Sequence, residues 1–151
     1  MDMRTPVNIS IKRLDPRVPL PAYQTPGSAA MDLAALLDAP LTLAPGARAA
    51  VPTGLAIALP GPEWVALVCA RSGLGIKHGV SLSNGVGVID SDYRGEIRVG
   101  LINQSDTPYT VQPGDRIAQL MILPVGRAQI TQLDELPPTQ RGSGGLGSTG
   151  N

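Results

Sequence analysis

An all-β sandwich or barrel is the fold this sequence predicts, and three observations predict it. Apolar residues recur with period two along much of the chain. Turn-forming clusters separate those runs at intervals of roughly 8–12 residues, the spacing of short strands. Glycine (18) and proline (15) make up over a fifth of the 151 residues, which leaves helices little room.

Each element follows from its residues. Val7, Ile9 and Ile11 alternate with Asn8, Ser10 and Lys12, the pattern of a half-buried strand. Leu43-Ala44-Pro45-Gly46 and Val111-Gln112-Pro113-Gly114-Asp115 use one device twice: a strand end, a Pro-Gly turn, a new strand. Val51 precedes Leu55, Ile57 and Leu59, which alternate with Ala56 and Ala58. Pro60-Gly61-Pro62 is a third break, and Val65, Leu67 and Cys69 then resume the period-two repeat. Residues 72–78 are a candidate short helix, weakened by Gly73 and Gly75. Residues 90–95 carry a dense turn signal between two apolar runs and predict a β-hairpin. Ile97, Val99 and Leu101 alternate with Arg98, Gly100 and Ile102. Residues 117–123 are almost wholly apolar and predict a strand buried on both faces.

Without phenylalanine, and with only Trp64, Tyr23, Tyr93 and Tyr109 as aromatics, the core must be Val, Ile, Leu and Ala. Cys69 is expected as a small buried apolar residue, and His78 as a surface or hydrogen-bonding one. Residues 1–138 form one domain, ending at Pro137-Pro138. Residues 139–151 are different in kind: five of the 13 are glycine and only Leu146 is apolar. Composition reads them as a disordered tail, since they bury too little to offset ordering entropy. The functional reading is a flexible arm, with glycine N–H groups and Arg141 closing on an anion.

The composition excludes several classes. Twelve basic and twelve acidic residues balance, which speaks against a non-specific nucleic-acid binder. One cysteine excludes an internal disulfide, a cysteine zinc cluster and a CxxC pair; one histidine excludes a two-histidine site. No apolar leader or membrane-length run is present, so a soluble, cytoplasmic protein is expected.

Three segments could carry chemistry. In Ala70-Arg71-Ser72-Gly73-Leu74-Gly75 an arginine, a hydroxyl and close glycine amides follow a strand end. That is either a phosphate clamp or a glycine turn with an exposed arginine. In residues 84–96, Asp90 and Asp92 either cap a turn or supply a general base at Asp90, a carboxylate being the base available to activate water in a chain with one histidine. Asp32 is a lone acid beside an apolar run, read on its own as a turn residue.

Five segments stand in order: Ser28-Ala29-Ala30-Met31-Asp32-Leu33; Arg71-Ser72-Gly73-Leu74-Gly75; Gly87-Val88-Ile89-Asp90-Ser91-Asp92-Tyr93-Arg94-Gly95; Gly114-Asp115-Arg116-Ile117-Ala118-Gln119; and Arg141-Gly142-Ser143-Gly144-Gly145-Leu146-Gly147-Ser148. Together they resemble the five motifs of the trimeric dUTP pyrophosphatases (dUTPases), from about residue 8 to the C-terminus. The resemblance implies a distorted jelly-roll subunit with a flexible glycine-rich C-terminal arm, and a homotrimer whose active sites are shared between subunits. It implies Mg²⁺-dependent hydrolysis of dUTP to dUMP and pyrophosphate. That activity keeps uracil out of DNA and supplies dUMP for thymidylate synthesis; no nucleic-acid or membrane partner is implied.

The same resemblance implies residue roles. Asp90 would orient and deprotonate the attacking water and contact the sugar 3′-hydroxyl. Asn84, Val88, Ile89 and Arg98 would surround uracil within a hairpin spanning residues 84–98. Tyr93 would pack on deoxyribose and exclude a 2′-hydroxyl. Arg71, Ser72, Gly73 and Gln119 would hold phosphate oxygens, and Asp32 would reach Mg²⁺ through its waters. Arg141, Gly142 and Ser143, with the glycine backbone to residue 145, would close on the β- and γ-phosphates. Leu146 stands where the family commonly has an aromatic ring over the base, which implies weaker arm closure. Ala30-Met31 also departs from the usual glycine and larger apolar residue. The dCTP deaminases share this fold but need another acid as proton shuttle, and residues 90–95 favour the dUTPases. A non-catalytic nucleotide-binding module of this fold is the other alternative.

Overall fold

The computed structural model describes residues 6–146. Eleven strands and one short helix are found among them: β1 (Ser10–Arg13), β2 (Met31–Ala34), β3 (Leu41–Leu43), β4 (Arg48–Pro52), β5 (Leu55–Ala58), β6 (Trp64–Cys69), α1 (Ser72–His78), β7 (Val80–Leu82), β8 (Gly87–Ile89), β9 (Arg98–Asn103), β10 (Tyr109–Val111) and β11 (Arg116–Pro124).

The fold is a β-sandwich of jelly-roll type. A four-stranded sheet runs β2-β11-β6-β8, and a three-stranded sheet runs β4-β9-β7. Two ribbons, β1-β5 and β10-β3, complete it, and every pairing is antiparallel. One apolar cluster joins the sheets. Leu33, Ala66, Ile117 and Leu120 of the larger sheet and Val51, Val80, Val99 and Leu101 of the smaller belong to it. Val, Ile, Leu and Ala side chains make up most of this buried cluster, without a single phenylalanine.

The repeated Pro-Gly device holds. Gly46 and Gly114 take φ of +75° and +84°, and the amides of Ala47 and Asp115 donate to the carbonyls of Ala44 and Gln112. Proline followed by a positive-φ glycine is the signature of a type II turn. These turns link β3 to β4 and β10 to β11. The short helix is also real: Leu74 is its buried anchor, and Gly79 closes it by donating to the Gly75 carbonyl.

Several expectations are corrected. In β6 the core face is Ala66 and Val68; Val65, Leu67 and Cys69 are half-buried on the opposite face. All six residues of β6 are apolar, so alternation could not choose the phase. Strand β11 is buried only through Leu120; Met121, Ile122 and Leu123 are half-buried. The first strand begins at Ser10, although Ile9 and Ile11 do pack on the core. Asp32 lies within a strand, directly opposite Gln119 of β11, and not in a turn. Residues 84–98 do not form a paired hairpin: β8 pairs with β6, whereas β9 pairs with β4 and β7. The turn signal at 90–95 carries the chain between sheets. Ile97 is pinned there by its amide on the Leu55 carbonyl, a long-range bond that local sequence does not announce.

The last strand ends at Pro124, and from there to residue 143 every residue is exposed. Gly147, Ser148 and the rest of the proposed arm lie outside the described residues. No described helix is long and apolar enough to cross a membrane.

Candidate active site

The residues singled out from sequence gather at two places in the chain. The first is a cleft of about 280 Å³ where β8, the 90–97 segment and β9 meet. Asn84, Val88, Ile89, Asp90, Tyr93 and Arg98 all line it. Ile89 is buried and forms apolar floor, while Val88 on the alternate face is 65% exposed. Arg98 is fixed by its Nη2 donating to the Ala50 carbonyl at 3.0 Å.

Asp90 stands at the first position after β8, exposed to solvent. Its carbonyl accepts the Tyr93 amide at 3.2 Å, which closes the turn. Neither Asp90 nor Asp92 caps that turn through its carboxylate; instead the Arg94 Nη1 donates to the Ser91 and Tyr93 carbonyls. The Asp90 carboxylate therefore faces the cleft without a protein hydrogen-bond partner among the described residues. An acceptor so placed is free to take a proton from water.

The second place is the outer face of β2, β11 and β6. Strand register sets Asp32, Gln119 and Cys69 in one row, because Gln119 opposes both of the others. Directly opposite residues share a face and touch. Asp32 Oδ1 forms an ion pair with Arg71 Nε, and Oδ2 accepts Arg116 Nη1, both at 3.0 Å. Arg71 Nη1 also donates to the Arg116 carbonyl at 2.9 Å, and Gln119 Nε2 to the Ala70 carbonyl at 2.9 Å. Ser72 and Gly73 lie exposed in the first turn of α1. Two guanidiniums and one carboxylate leave this cluster net positive, suited to an anion.

The arm residues join neither place. Arg141 Nε donates to the Gly144 carbonyl at 2.8 Å, and the Gly142 amide donates to Thr139. Ser143 is exposed, and Leu146 is fully so, with φ of +46°.

Two site residues escaped the sequence reading. Arg116 shares Asp32 with Arg71, and its signal was a basic residue three positions before Gln119, after a Pro-Gly turn. Glu96 lines the cleft and accepts the Gly54 amide at 2.9 Å; no local pattern marks it.

No group of three His, Cys, Asp or Glu side chains among the described residues could cage a metal. Asp32, with both oxygens already paired, offers a hard oxygen edge only. A lone carboxylate of that kind can meet a hard divalent ion such as Mg²⁺ only through the ion's water shell.

Comparisons with known proteins agree on one family. The dUTPase family model matches residues 17–150. The chain is 54% identical over 146 residues to a deoxyuridine 5′-triphosphate nucleotidohydrolase of Albidiferax ferrireducens, covering 95% of this chain and 98% of that protein. It is 56% identical over 146 residues to the Aeromonas hydrophila protein of the same name, covering 94% and 96%. Its fold matches the Staphylococcus bacteriophage 80alpha dUTPase with dUPNHPP at a TM-score of 0.85 and 24% identity, covering 95% and 99%. A mutant dUTPase from phage phi11 of S. aureus, described for coordination of a structural Mg(II) ion, matches at 0.77 and 20%, covering 87% and 99%.

Proposed function

This chain belongs to the dUTPase family, and from that premise we infer how its own residues hydrolyse dUTP to dUMP and pyrophosphate. The observation that carries the reading is the cleft itself. It collects Asn84, Val88, Ile89, Tyr93 and Arg98 around the Asp90 carboxylate, which has no hydrogen-bond partner among the described residues.

In this reading uracil enters the cleft, with backbone groups of the 84–89 segment meeting its polar edge and Ile89 its ring. Tyr93 packs on deoxyribose. Asp90 aligns water against the α-phosphate and takes its proton, and such a base contributes about 10²–10⁴-fold. Arg71, Ser72, Gly73 and Gln119 bind phosphate oxygens and offset charge on the departing pyrophosphate. Arg141, Gly142 and Ser143 leave their own turn to close over the β- and γ-phosphates, and Leu146 gives apolar cover to the base. Asp32 would hold Mg²⁺ through the ion's water shell, and the ion would supply charge neutralisation there.

We place the protein in the cytoplasm, as a homotrimer with shared sites. Two features support sharing. The base cleft and the phosphate cluster occupy different parts of one chain. On the outer face of β6 and β11, Leu67 opposes Met121 and Val65 opposes Leu123, all half-buried and apolar. This stripe runs straight into the Cys69–Gln119 row. A second copy covering the stripe is thereby brought alongside the phosphate cluster.

The test is pyrophosphate release from dUTP with Mg²⁺, run beside UTP, dTTP and dCTP and an EDTA control. Activity on dUTP alone, lost with EDTA, is expected. Asp90→Asn should lose at least 10²-fold in kcat while nucleotide affinity changes far less. Equal turnover in both proteins refutes the assignment of Asp90, and ammonia release from dCTP refutes the reaction.

A further inference from the structure

Tyr93 is only as good a sugar filter as its own placement, and at 46% exposure its ring is not held by burial. Two contacts fix it. The ring lies over Gly95, where any Cβ would collide with the hydroxyl and with Cζ, the latter at 2.6 Å. The phenolic hydroxyl donates to the Glu96 carbonyl at 3.0 Å. The position of the ring therefore depends on where the 96–97 peptide, which carries that carbonyl, sits.

Glu96, which begins that peptide, is also latched through its side chain. Its Oε1 accepts the Gly54 amide at 2.9 Å in a half-buried setting. Gly54 is a rigid anchor. It takes φ of +67°, its carbonyl accepts the Leu14 amide at 2.8 Å, and a Cβ there would meet Leu36 Cδ2 at 2.8 Å. Next to it, Thr53 Oγ1 donates to the Ile97 carbonyl at 2.6 Å, and the Ile97 amide to the Leu55 carbonyl at 2.8 Å. The Ile97 amide thus anchors one end of the 96–97 peptide, and the Glu96 carboxylate anchors the residue at its other end.

We propose that Glu96 is a positioning residue for sugar discrimination: by hooking Gly54 it fixes the carbonyl that holds Tyr93 against the sugar pocket. This rests on the dUTPase reading above, and specifically on Tyr93 packing against deoxyribose. Without the hook, the 96–97 peptide keeps only its Ile97 anchor, and the Glu96 carbonyl and the ring turn outward together. The space denied to a 2′-hydroxyl then opens, while Asp90 and the phosphate cluster stay where they are. A carboxylate-to-amide change preserves the acceptor oxygen, so glutamine maintains the hook.

The experiment compares kcat/KM for dUTP and UTP in the full-length protein, Glu96→Ala, Glu96→Gln, Tyr93→Phe and the Tyr93→Phe/Glu96→Ala pair. In Glu96→Ala the dUTP/UTP ratio should fall about fivefold to tenfold, the equivalent of one lost hydrogen bond. The fall should come from better use of UTP, with dUTP kcat moved much less. A purely structural role would depress both substrates together and leave the ratio alone. Glu96→Gln should keep the ratio. In the Tyr93→Phe background, which lacks the held hydroxyl, adding Glu96→Ala should change nothing further. A selective parent with an equally selective Glu96→Ala variant overturns the role of Glu96 and leaves the dUTPase reading standing. A parent that does not distinguish dUTP from UTP overturns both. Should the alanine variant not fold, loss of the ratio in Glu96→Gln refutes the proposal on its own.

Discussion

Replacing Asp32 by asparagine removes one charge from between two arginines and tests the phosphate cluster directly. The carboxylate accepts one charge-assisted bond, from Arg116, and makes an ion pair with Arg71, both at 3.0 Å, and its side chain is 16% exposed. Arg71, at 27% exposure, is partly desolvated, and its ion pair is worth about 1 kcal/mol. Arg116, at 53%, is largely screened, and such pairs contribute about 0.5 kcal/mol. The sum is about 1.5 kcal/mol. For a chain of this length each kcal/mol moves Tm by about 2–4 °C, so a drop of about 3–6 °C is expected. The melt is run with EDTA and without nucleotide, so that it reads the ion pairs and not any contact of Asp32 with metal-bound water. Raised salt should shrink the Arg116 share first. In turnover, Arg71 retains only its bond to the Arg116 carbonyl, and kcat/KM for dUTP should fall about tenfold, chiefly through KM. An Asp32→Asn protein with unchanged Tm and KM refutes the claim that this carboxylate organises the two guanidiniums.

Three further outcomes follow from the same structure. Leu146→Phe restores a ring at the tip of the arm and should lower KM or raise turnover on dUTP; steady-state kinetics showing neither ends the idea that closure is limited there. Leu67→Asp puts a charge into the apolar stripe of β6 and should reduce the sedimenting mass and the activity together, whereas a full-size, fully active variant refutes the shared-site arrangement. The Asp15 carboxyl is lowered from 3.8 to about 2, chiefly because the Arg17 side chain donates to it. A depressed pKa means the stabilisation is present at neutral pH and is lost as pH falls through about 2. The Tm gap between parent and Asp15→Asn should therefore close between about pH 4 and pH 2, and a constant gap would contradict this.

What the sequence made legible depended on whether one residue type marked one face. In β9 the buried Val99 and Leu101 alternate with Arg98 and Gly100, so strand and orientation could both be read. In β6 every residue is apolar, and the inner face was assigned to the wrong set. Asp32 looked like a turn residue because β2 is four residues long and bordered by loops, too short for its period to stand out. The Pro-Gly turns were readable because proline fixes one dihedral and glycine permits the next. Which sheets β8 and β9 join was not, since that rests on bonds such as Ile97 to Leu55, 42 positions away in sequence. The site followed the same rule. Asp90, Tyr93 and Arg71 sit in dense motifs. Arg116 and Glu96 act through partners 84 and 42 positions distant, and such partners appear only once the chain is folded.

The scarcity of aromatic residues leaves the molecule with a built-in optical probe. Trp64 is the sole indole, and it begins β6 directly opposite Pro124, where the last strand ends. It packs against the core, and beside it the Val125 amide makes a final bond to the Glu63 carbonyl at 2.8 Å before the exposed C-terminal stretch begins. Its emission therefore comes from a single known site at the seam between body and tail. Tryptophan emission, excited beyond the tyrosine absorption band, reports on that seam alone, free of the averaging that several tryptophans would impose.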